Sequence, residues 1–246
     1  MTGWPNGDIA PAGDEPRDAA TLIIVDEQHG RRRVLLGKRR QTQVFAPGKF
    51  VFPGGSVDPA DAQLRTDGRL RDSERHPLLH DMKAISGSMS PEVFALAAIR
   101  ETFEETGLLL GAPAARVLKD PPPVWQPFVA HGYTPKLSTL AFIARAITPP
   151  GRSRRFDARF FLASGDDIAL RTQMTDGEFE DLAWVTFAQA REMDLHNMTL
   201  SVLEEAERYL QLAPAERDRA PVPYFLNGRD GWQREVIARQ PTARGA

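Results

Sequence analysis

Residues 98–111 read AIRETFEETGLLLG, and this stretch predicts the central helix of the fold. Ser90 followed by Pro91 is a helix start signal, because serine caps free amide groups and proline suits the first helical turn. Gly107 is a stop signal, since glycine readily adopts the left-handed conformation that ends many helices. The pattern therefore predicts a helix over about 91–106.

This helix gathers three glutamates on one side. At about 100° per residue, Glu101, Glu104 and Glu105 point the same way. The residues on the opposite side are apolar and are expected to pack on a sheet: Leu96, Ile99 and Phe103. Like charges at these spacings repel by about 0.2–0.5 kcal/mol per pair, and a helix C-terminus disfavours negative charge. The cluster predicts a bound cation, for which Mg2+ or Mn2+ suits carboxylate oxygens, although a solvated acidic face has the same spacing.

A glycine turn upstream completes a family pattern. FPGG at 52–55 and RETFEETGL at 100–108 resemble the two ends of the Nudix box, G-x5-E-x7-R-E-U-x-E-E-x-G-U, where U is aliphatic. Thr102 stands where the family has an aliphatic residue, and an insertion at about 58–87 separates the two halves. The resemblance implies an α/β fold, the Nudix α/β/α sandwich around a mixed β-sheet.

The resemblance also implies roles for individual residues. The implied metal ligands are Glu101, Glu104 and Glu105. Glu101 would either complete this set or take the proton of the attacking water. Arg100 would brace the glycine loop through charge-assisted hydrogen bonds. Gly54 and Gly55 would let that loop approach a substrate phosphate, because glycine has no Cβ.

Two further stretches point to a substrate class. LLGKRRQTQVFAPGKFVFPGG at 35–55 is similar to the coenzyme A signature of the family, but Val44 replaces its second arginine. ITPPGRSRRFDARFFLA at 147–163 resembles the peroxisomal acyl-CoA diphosphatase branch, which also carries an insertion inside the box. These resemblances imply substrate-binding roles for Arg39, Arg154 and Arg155.

Other side chains near this second motif are also candidates for substrate contacts. Guanidinium groups that suit phosphate are also present at Arg152 and Arg159. Rings that could pack on an adenine are present at Phe156, Phe160 and Phe161, although alternation in a strand predicts that Phe156 and Phe160 belong to a core.

The remaining sequence predicts one domain with flanking segments. Residues 1–18 are expected to be a flexible leader, 19–213 the Nudix domain and 214–246 a C-terminal extension. The runs ATLIIVDE and RRRVLLGKRR predict a β-hairpin. The insertion at about 58–87 is polar and is expected to form a loop or lid that shapes substrate choice.

Composition narrows the function classes. The net charge is -2 over 246 residues, so the protein has no overall positive charge that would attract a polyanion. We therefore expect no nucleic-acid partner. The chain has no cysteine, which excludes thiolate chemistry. It has no long apolar run, so we expect a cytoplasmic protein without a membrane partner. The oligomeric state stays open.

The leading interpretation is a metal-dependent Nudix hydrolase that cleaves a diphosphate linkage in a nucleotide derivative such as coenzyme A or acyl-CoA. Because of Val44, an ADP-ribose or dinucleoside polyphosphate hydrolase remains an alternative. A non-catalytic Nudix nucleotide sensor is a second alternative. A sensor would be expected to have lost the glutamates of the box, whereas this chain retains all three. Whether Glu92 or Glu178 joins the site is left open by the sequence.

Overall fold

The computed structural model describes residues 15–239 except 67, 86, 88, 89, 117, 153, 174–176, 229 and 230. The strands are β1 (Arg17–Gln28), β2 (Arg31–Arg39), β3 (Phe50–Val51), β4 (Gly54–Ser56), β5 (Leu108–Pro113), β6 (Tyr133–Pro135), β7 (Ala141–Ile147), β8 (Phe156–Ser164), β9 (Ile168–Arg171), β10 (Phe179–Thr186), β11 (Val222–Gly228) and β12 (Gly231–Ile237). The α-helices are α1 (Asp72–Leu78), α2 (Glu92–Thr106), α3 (Gln126–Val129), α4 (Phe187–Arg191), α5 (Asn197–Gln211) and α6 (Pro214–Arg217). Short 3-10 helices cover Pro59–Gln63, Pro123–Trp125 and Gly165–Asp167. Among the described residues, no helix is long and apolar enough to cross a membrane.

The main sheet is mixed. Its strands follow the order β10-β2-β1-β8-β7-β11-β12, with β3 beside β2 and β4 beside β1. The pairs β1–β8 and β7–β11 are parallel, whereas β1–β2 and β7–β8 are antiparallel. A smaller sheet has the order β6-β5-β9. The predicted β-hairpin is confirmed, and so is the α/β class with a mixed sheet.

Helices cover both faces of the main sheet. Leu22 and Ile24 of β1 belong to the core that includes α2, whereas Ile23 and Val25 belong to the core that includes α5. This split follows from the alternation of side chains along a strand. The arrangement is a sandwich of helices around a sheet, as predicted, and it places the C-terminal half of α2 against β1 and β4.

The central helix ends where the sequence predicts and begins one residue later. Gly107 has φ 69° and its N–H donates to the carbonyl of Phe103, which closes the last turn. Ser90 does not cap the first turn; its hydroxyl donates to the Glu92 carboxylate at 2.6 Å. Pro91 instead already has helical dihedral angles and precedes the helix.

The apolar side of α2 is buried as predicted. Its predicted core residues are all at most 4% exposed: Leu96, Ile99 and Phe103. Thr102, which departs from the family pattern, is fully buried and donates its hydroxyl to the carbonyl of Ala98 at 2.7 Å. A threonine is tolerated at this apolar position because the helix itself satisfies its hydroxyl.

The first strand begins earlier than the predicted start near Ala19. β1 begins at Arg17, because Arg17 already pairs with Phe156 of β8. Residues 1–14, most of the predicted leader, lie outside the described residues.

The insertion is a packed layer and not a solvated lid. Its apolar side chains belong to the core beneath α2: Leu64, Leu70, Leu78 and Met82. Asp61 and Glu74 are fully buried within the protein. Much of the segment is irregular, as expected of a loop, but it is packed into the core. The expectation of a solvated lid is therefore wrong, since scattered apolar residues without helical or strand periodicity still find positions in the core.

The C-terminal segment also belongs to the fold. β11 extends the main sheet beside β7 and pairs with β12. Arg239 is 8% exposed and donates to the Glu74 carboxylate at 2.6 Å and to the carbonyls of Ser73, Phe142 and Ala220. The segment 214–239 is thus part of the sheet and clamps α1, so it is not an extension beyond a finished domain.

Arg239→Ala is expected to lower the free energy of unfolding by about 3–5 kcal/mol, because the change leaves the buried Glu74 carboxylate with less compensation. Arg234→Ala is the matched control: Arg234 is half exposed, and its partner Glu205 keeps a second ion pair with Arg208. The control should cost less than about 1 kcal/mol. Urea denaturation measures both values, and equal losses would contradict a clamping role.

Candidate functional site

Arg100 organises the C-terminal half of α2. It is 4% exposed, and its Nε and Nη2 donate to Asp61 Oδ1 and Oδ2 at 2.8 and 3.0 Å. Nη2 also donates to the carbonyl of Ser56 at 3.0 Å, and Nη1 donates to Glu101 at 2.8 Å and Glu104 at 3.2 Å. Burial alone would lower the pKa of Arg100, but its hydrogen bonds to Asp61 and the negative charges of Asp61, Glu101 and Glu104 outweigh burial and raise the pKa. The guanidinium therefore holds the glycine loop, the insertion and two acids together.

Asp61 is the main site-building residue that sequence reasoning missed. It is fully buried and also accepts a hydrogen bond from Trp125 Nε1 at 2.9 Å. The only local signal is DPAD at 58–61, in which Asp58 and the following proline indicate a helical turn. That signal predicts the 3-10 helix at Pro59–Gln63 but gives no hint of the long-range partner.

The acids Glu101 and Glu105 lie together behind β4. Glu105 is 2% exposed and accepts a hydrogen bond from the N–H of Gly54 at 2.7 Å. Burial raises the pKa of Glu105 well above its usual value, against the lowering effect of the Gly54 N–H. Burial likewise raises the pKa of Glu101 to about 7, although Arg100 partly offsets it. Both carboxylates are therefore short of compensating positive charge.

The glycines of β4 make room for the protein itself. Gly54 has φ 153°, and a Cβ there would lie 2.5 Å from the carbonyl oxygen of Ala20. A Cβ on Gly55 would lie 2.4 Å from the Glu101 carboxylate. The sequence predicts that these glycines let the loop approach a substrate phosphate. In the structure, their lack of a Cβ first makes room for β1 and for the Glu101 carboxylate. Both glycines also line a cavity.

A cavity of about 620 Å3 opens beside these acids, a size typical of small-molecule sites. Its carboxylate end is lined by Glu101, Glu105 and Glu178. Its aromatic end is lined by Phe45, Phe156 and His196. One cavity is thus lined both by carboxylates and by aromatic rings.

Arg39 links these two ends. Its Nε donates to the carbonyl of Phe45 at 3.0 Å and its Nη2 to the side chain of Gln43 at 3.1 Å. The same guanidinium pairs with Glu178 at 3.0 Å and lies 4.0 Å from Glu105. Arg39 was predicted to bind substrate; in the structure it lines the cavity and braces the loop at 40–49.

The arginines of the second motif have separate environments. Arg154 and Arg152 line the cavity, and Arg154 is exposed. Arg155 instead donates its Nε to the carbonyl of Thr148 at 3.2 Å, which ties together the turn between β7 and β8. The two arginines expected at one phosphate therefore differ, because Arg154 lines the cavity whereas Arg155 is not among its lining residues and holds the turn.

Arg159 is not available to a substrate. It is 1% exposed, pairs with Asp18 and Asp157, and lies 4.0 Å above the ring of Phe94. Burial lowers its pKa. Phe161 is also fully buried, whereas Phe156 and Phe160 border the cavity.

The acids differ in how well they suit a metal. Glu101 and Glu105 line the cavity, whereas Glu104 accepts a hydrogen bond from Arg100. Among the described residues, no three His, Cys, Asp or Glu side chains form a preformed metal cage. The buried Glu105 and the partly buried Glu101 are nevertheless oxygen donors that fit a hard divalent ion.

The two acids left open by the sequence have different positions. Glu92 pairs with Arg75 at 2.9 Å at the opposite end of α2, so it does not join the cluster. Glu178 faces the cavity, and its charge adds to the raised pKa of Glu105. Glu178 is therefore part of the candidate site.

Comparisons with known proteins agree with this geometry. No family model matches the chain. It is 28% identical to acyl-coenzyme A diphosphatase NUDT19 of Gallus gallus over 235 residues, which cover 72% of this chain and 62% of that protein. It is 30% identical to the protein of the same name from Homo sapiens, covering 53% of this chain and 47% of that one. The chain thus spans less than two thirds of the length of these relatives.

A solved structure supports the same assignment. The crystal structure of a Nudix hydrolase from Alicyclobacillus acidocaldarius aligns with a TM-score of 0.59 and 27% identity, covering 77% of this chain and 90% of that one. The similarity extends to the sandwich described above, while the box residues Arg100 to Gly107 form the helix that carries the acids. The chain therefore belongs to the Nudix hydrolase superfamily.

Proposed function

We propose that this protein is a divalent-metal-dependent hydrolase that cleaves the diphosphate linkage of a nucleotide derivative, with coenzyme A or acyl-CoA as the preferred substrate class. The observation that carries the proposal is the pair of cavity-lining carboxylates, the buried Glu105 and the partly buried Glu101, in a cavity of about 620 Å3. The name of the two relatives, acyl-coenzyme A diphosphatase, supports the substrate class.

The reaction adds water across the P–O–P bond and yields two phosphate monoesters. Mg2+ or Mn2+, held by Glu101 and Glu105 with Glu104 beside them, would supply charge neutralisation and a more acidic water. Glu101 either serves as a ligand or takes the proton of the attacking water, since its carboxylate faces the cavity. The N–H of Gly54 orients Glu105, and Arg100 orients Glu101 and Glu104.

The cationic groups at the cavity suit a substrate with several phosphates. Arg152 and Arg154 line the cavity, and guanidinium groups form strong charge-assisted bonds to phosphate. Val44, which replaces an arginine of the coenzyme A signature, is 64% exposed at the same cavity. That loss of one cation favours ADP-ribose or a dinucleoside polyphosphate as the second candidate substrate class.

A substrate screen tests the proposal. Purified protein with Mg2+ or Mn2+ is incubated with coenzyme A, acyl-CoA, ADP-ribose, NADH and diadenosine polyphosphates, and kcat/KM is compared. We expect the coenzyme A derivatives to have the highest values. Faster hydrolysis of ADP-ribose or of a diadenosine polyphosphate would favour the second candidate, and no hydrolysis of any compound would favour a nucleotide sensor.

Glu104→Gln and Glu105→Gln are expected to lower kcat by on the order of 100-fold, because each removes a carboxylate oxygen from the proposed metal set. Stability without metal should be unchanged or slightly higher, since like charges no longer repel. The stabilisation by added Mg2+ in thermal unfolding should shrink. Glu92→Gln, on the same helix but away from the cavity, is the control; wild-type turnover in both variants would exclude this metal site.

Asp61→Asn is expected to reduce kcat/KM for every substrate by a similar factor and to destabilise the fold by about 3–5 kcal/mol, because buried Arg100 loses its counter-charge. Asp72→Asn, at an exposed position of the same insertion, should leave both nearly unchanged. Steady-state kinetics on two substrates together with urea denaturation provide the measurement. A selective change of substrate preference would instead support a role of the insertion in substrate choice.

Arg154→Ala and Arg155→Ala should behave differently. If Arg154 contacts the 3'-phosphate of coenzyme A, its loss should weaken coenzyme A about ten- to hundredfold and 3'-dephospho-coenzyme A much less. Arg155→Ala should affect both compounds equally, since Arg155 supports the turn between β7 and β8. Values of KM for the two compounds measure the difference, and equal weakening by Arg154→Ala would contradict a 3'-phosphate contact.

A further inference from the structure

The aromatic end of the cavity is a cluster of three rings from separate segments. Phe45 comes from the loop between β2 and β3, Phe156 from the start of β8, and His196 from the residue before α5. The ring of Phe45 lies edge-on to Phe156, with centroids 5.8 Å apart and planes at 81°. Its centroid is 5.0 Å from that of His196, with planes at 48°. All three side chains are only partly buried and border the cavity, unlike the fully buried Phe161 on the same strand as Phe156.

His196 contributes a neutral aromatic ring to this cluster. Its Nδ1 accepts the N–H of Met198 at 3.3 Å and so caps α5. Because Nδ1 accepts, the ring proton belongs on Nε2. Burial, with smaller contributions from the positive charges of Lys49 and Arg152, lowers the pKa of His196 to about 4. At neutral pH the ring is therefore an uncharged aromatic surface with a polar edge.

The cluster is tied to the carboxylate end of the same cavity. Arg39 holds the backbone of Phe45 through one side of its guanidinium and lies against Glu178 and Glu105 with the other. The ring of Phe45 is thus positioned by the same residue that borders the proposed metal ligands. Arg39 therefore connects the aromatic end of the cavity to its carboxylate end, so one bound molecule could contact both.

We propose that Phe45, Phe156 and His196 form the subsite for the purine base of the nucleotide substrate, an inference that rests on the proposed function for the rest of that substrate. A planar heteroaromatic base suits ring faces and edges, which prefer stacked or edge-on contacts. An acyl chain is the less suitable occupant, because Arg152 and Arg154 line the same cavity and an alkyl group would desolvate them without pairing. The ribose and phosphates beside a base would pair with those guanidinium groups instead.

Equilibrium binding without divalent metal tests the subsite independently of hydrolysis. Isothermal titration calorimetry compares AMP with ribose 5-phosphate, which differ only by the base. Wild-type protein should bind AMP at least about tenfold more tightly, and Phe45→Leu and Phe156→Leu should each lower AMP affinity by about tenfold while leaving ribose 5-phosphate unchanged. His196→Asn should do the same and keep the helix cap, since asparagine caps well.

Two variants serve as controls. Phe45→Tyr retains the ring and should retain the preference for AMP. Thr42→Ala changes an exposed side chain of the same loop that does not line the cavity and should leave both affinities unchanged. Circular dichroism tests whether each variant is folded. In a folded variant, a loss of AMP binding can be assigned to the missing aromatic ring and not to unfolding.

The outcomes separate this inference from the proposed function. Equal affinity of wild-type protein for AMP and ribose 5-phosphate, or absence of AMP binding, would overturn the base subsite even if diphosphates are hydrolysed. A preference for AMP that depends on Phe45 would support the subsite even if no diphosphate is cleaved, which would overturn the proposed reaction alone. If Phe45→Leu weakens octanoyl-pantetheine but not AMP, the rings bind the acyl arm and the inference is wrong.

Discussion

The buried contact between Arg100 and Asp61 is the constraint on which the candidate site depends. A guanidinium this deeply buried needs a counter-charge and several acceptors, and Asp61 together with the carbonyl of Ser56 supplies them. In return, the remaining nitrogen of Arg100 orients Glu101 and Glu104 at the end of α2. Arg100 thereby fixes α2, β4 and the insertion relative to one another. It also orients the carboxylates of Glu101 and Glu104.

A second guanidinium extends this order across the cavity. Arg39 connects Glu178 and Glu105 with the loop that carries Phe45. Glu105 is in addition held by the N–H of Gly54. The charged residues near the acids are thus arranged mainly to support other protein groups, whereas the exposed, cavity-lining Arg154 is better suited to meet a ligand.

The insertion and the C-terminal segment complete the domain in a similar way. Glu74 of α1 accepts from Arg239, from Arg71 and from the N–H of Phe142 in β7. A carboxylate buried beneath the sheet is stable there because cations and an amide surround it. Residues far apart in the chain, at 74 and 239, therefore depend on each other, and neither segment is an appendage to a separate core.

The sequence by itself determined the local features: the β1–β2 hairpin, the helix that ends at Gly107, the burial of its apolar side and the clustering of Glu101, Glu104 and Glu105. These follow from short-range periodicity and from turn residues, which act within a few positions of one another. The box pattern also indicated the sandwich fold. Only the tertiary structure decided which charges pair: Asp61 with Arg100, Glu74 with Arg239, Arg159 inside the core, Arg155 on a turn and Arg39 as a brace. The pairs Asp61–Arg100 and Glu74–Arg239 join residues 39 and 165 positions apart, and their stability depends on burial, a property of the folded chain that no local pattern encodes.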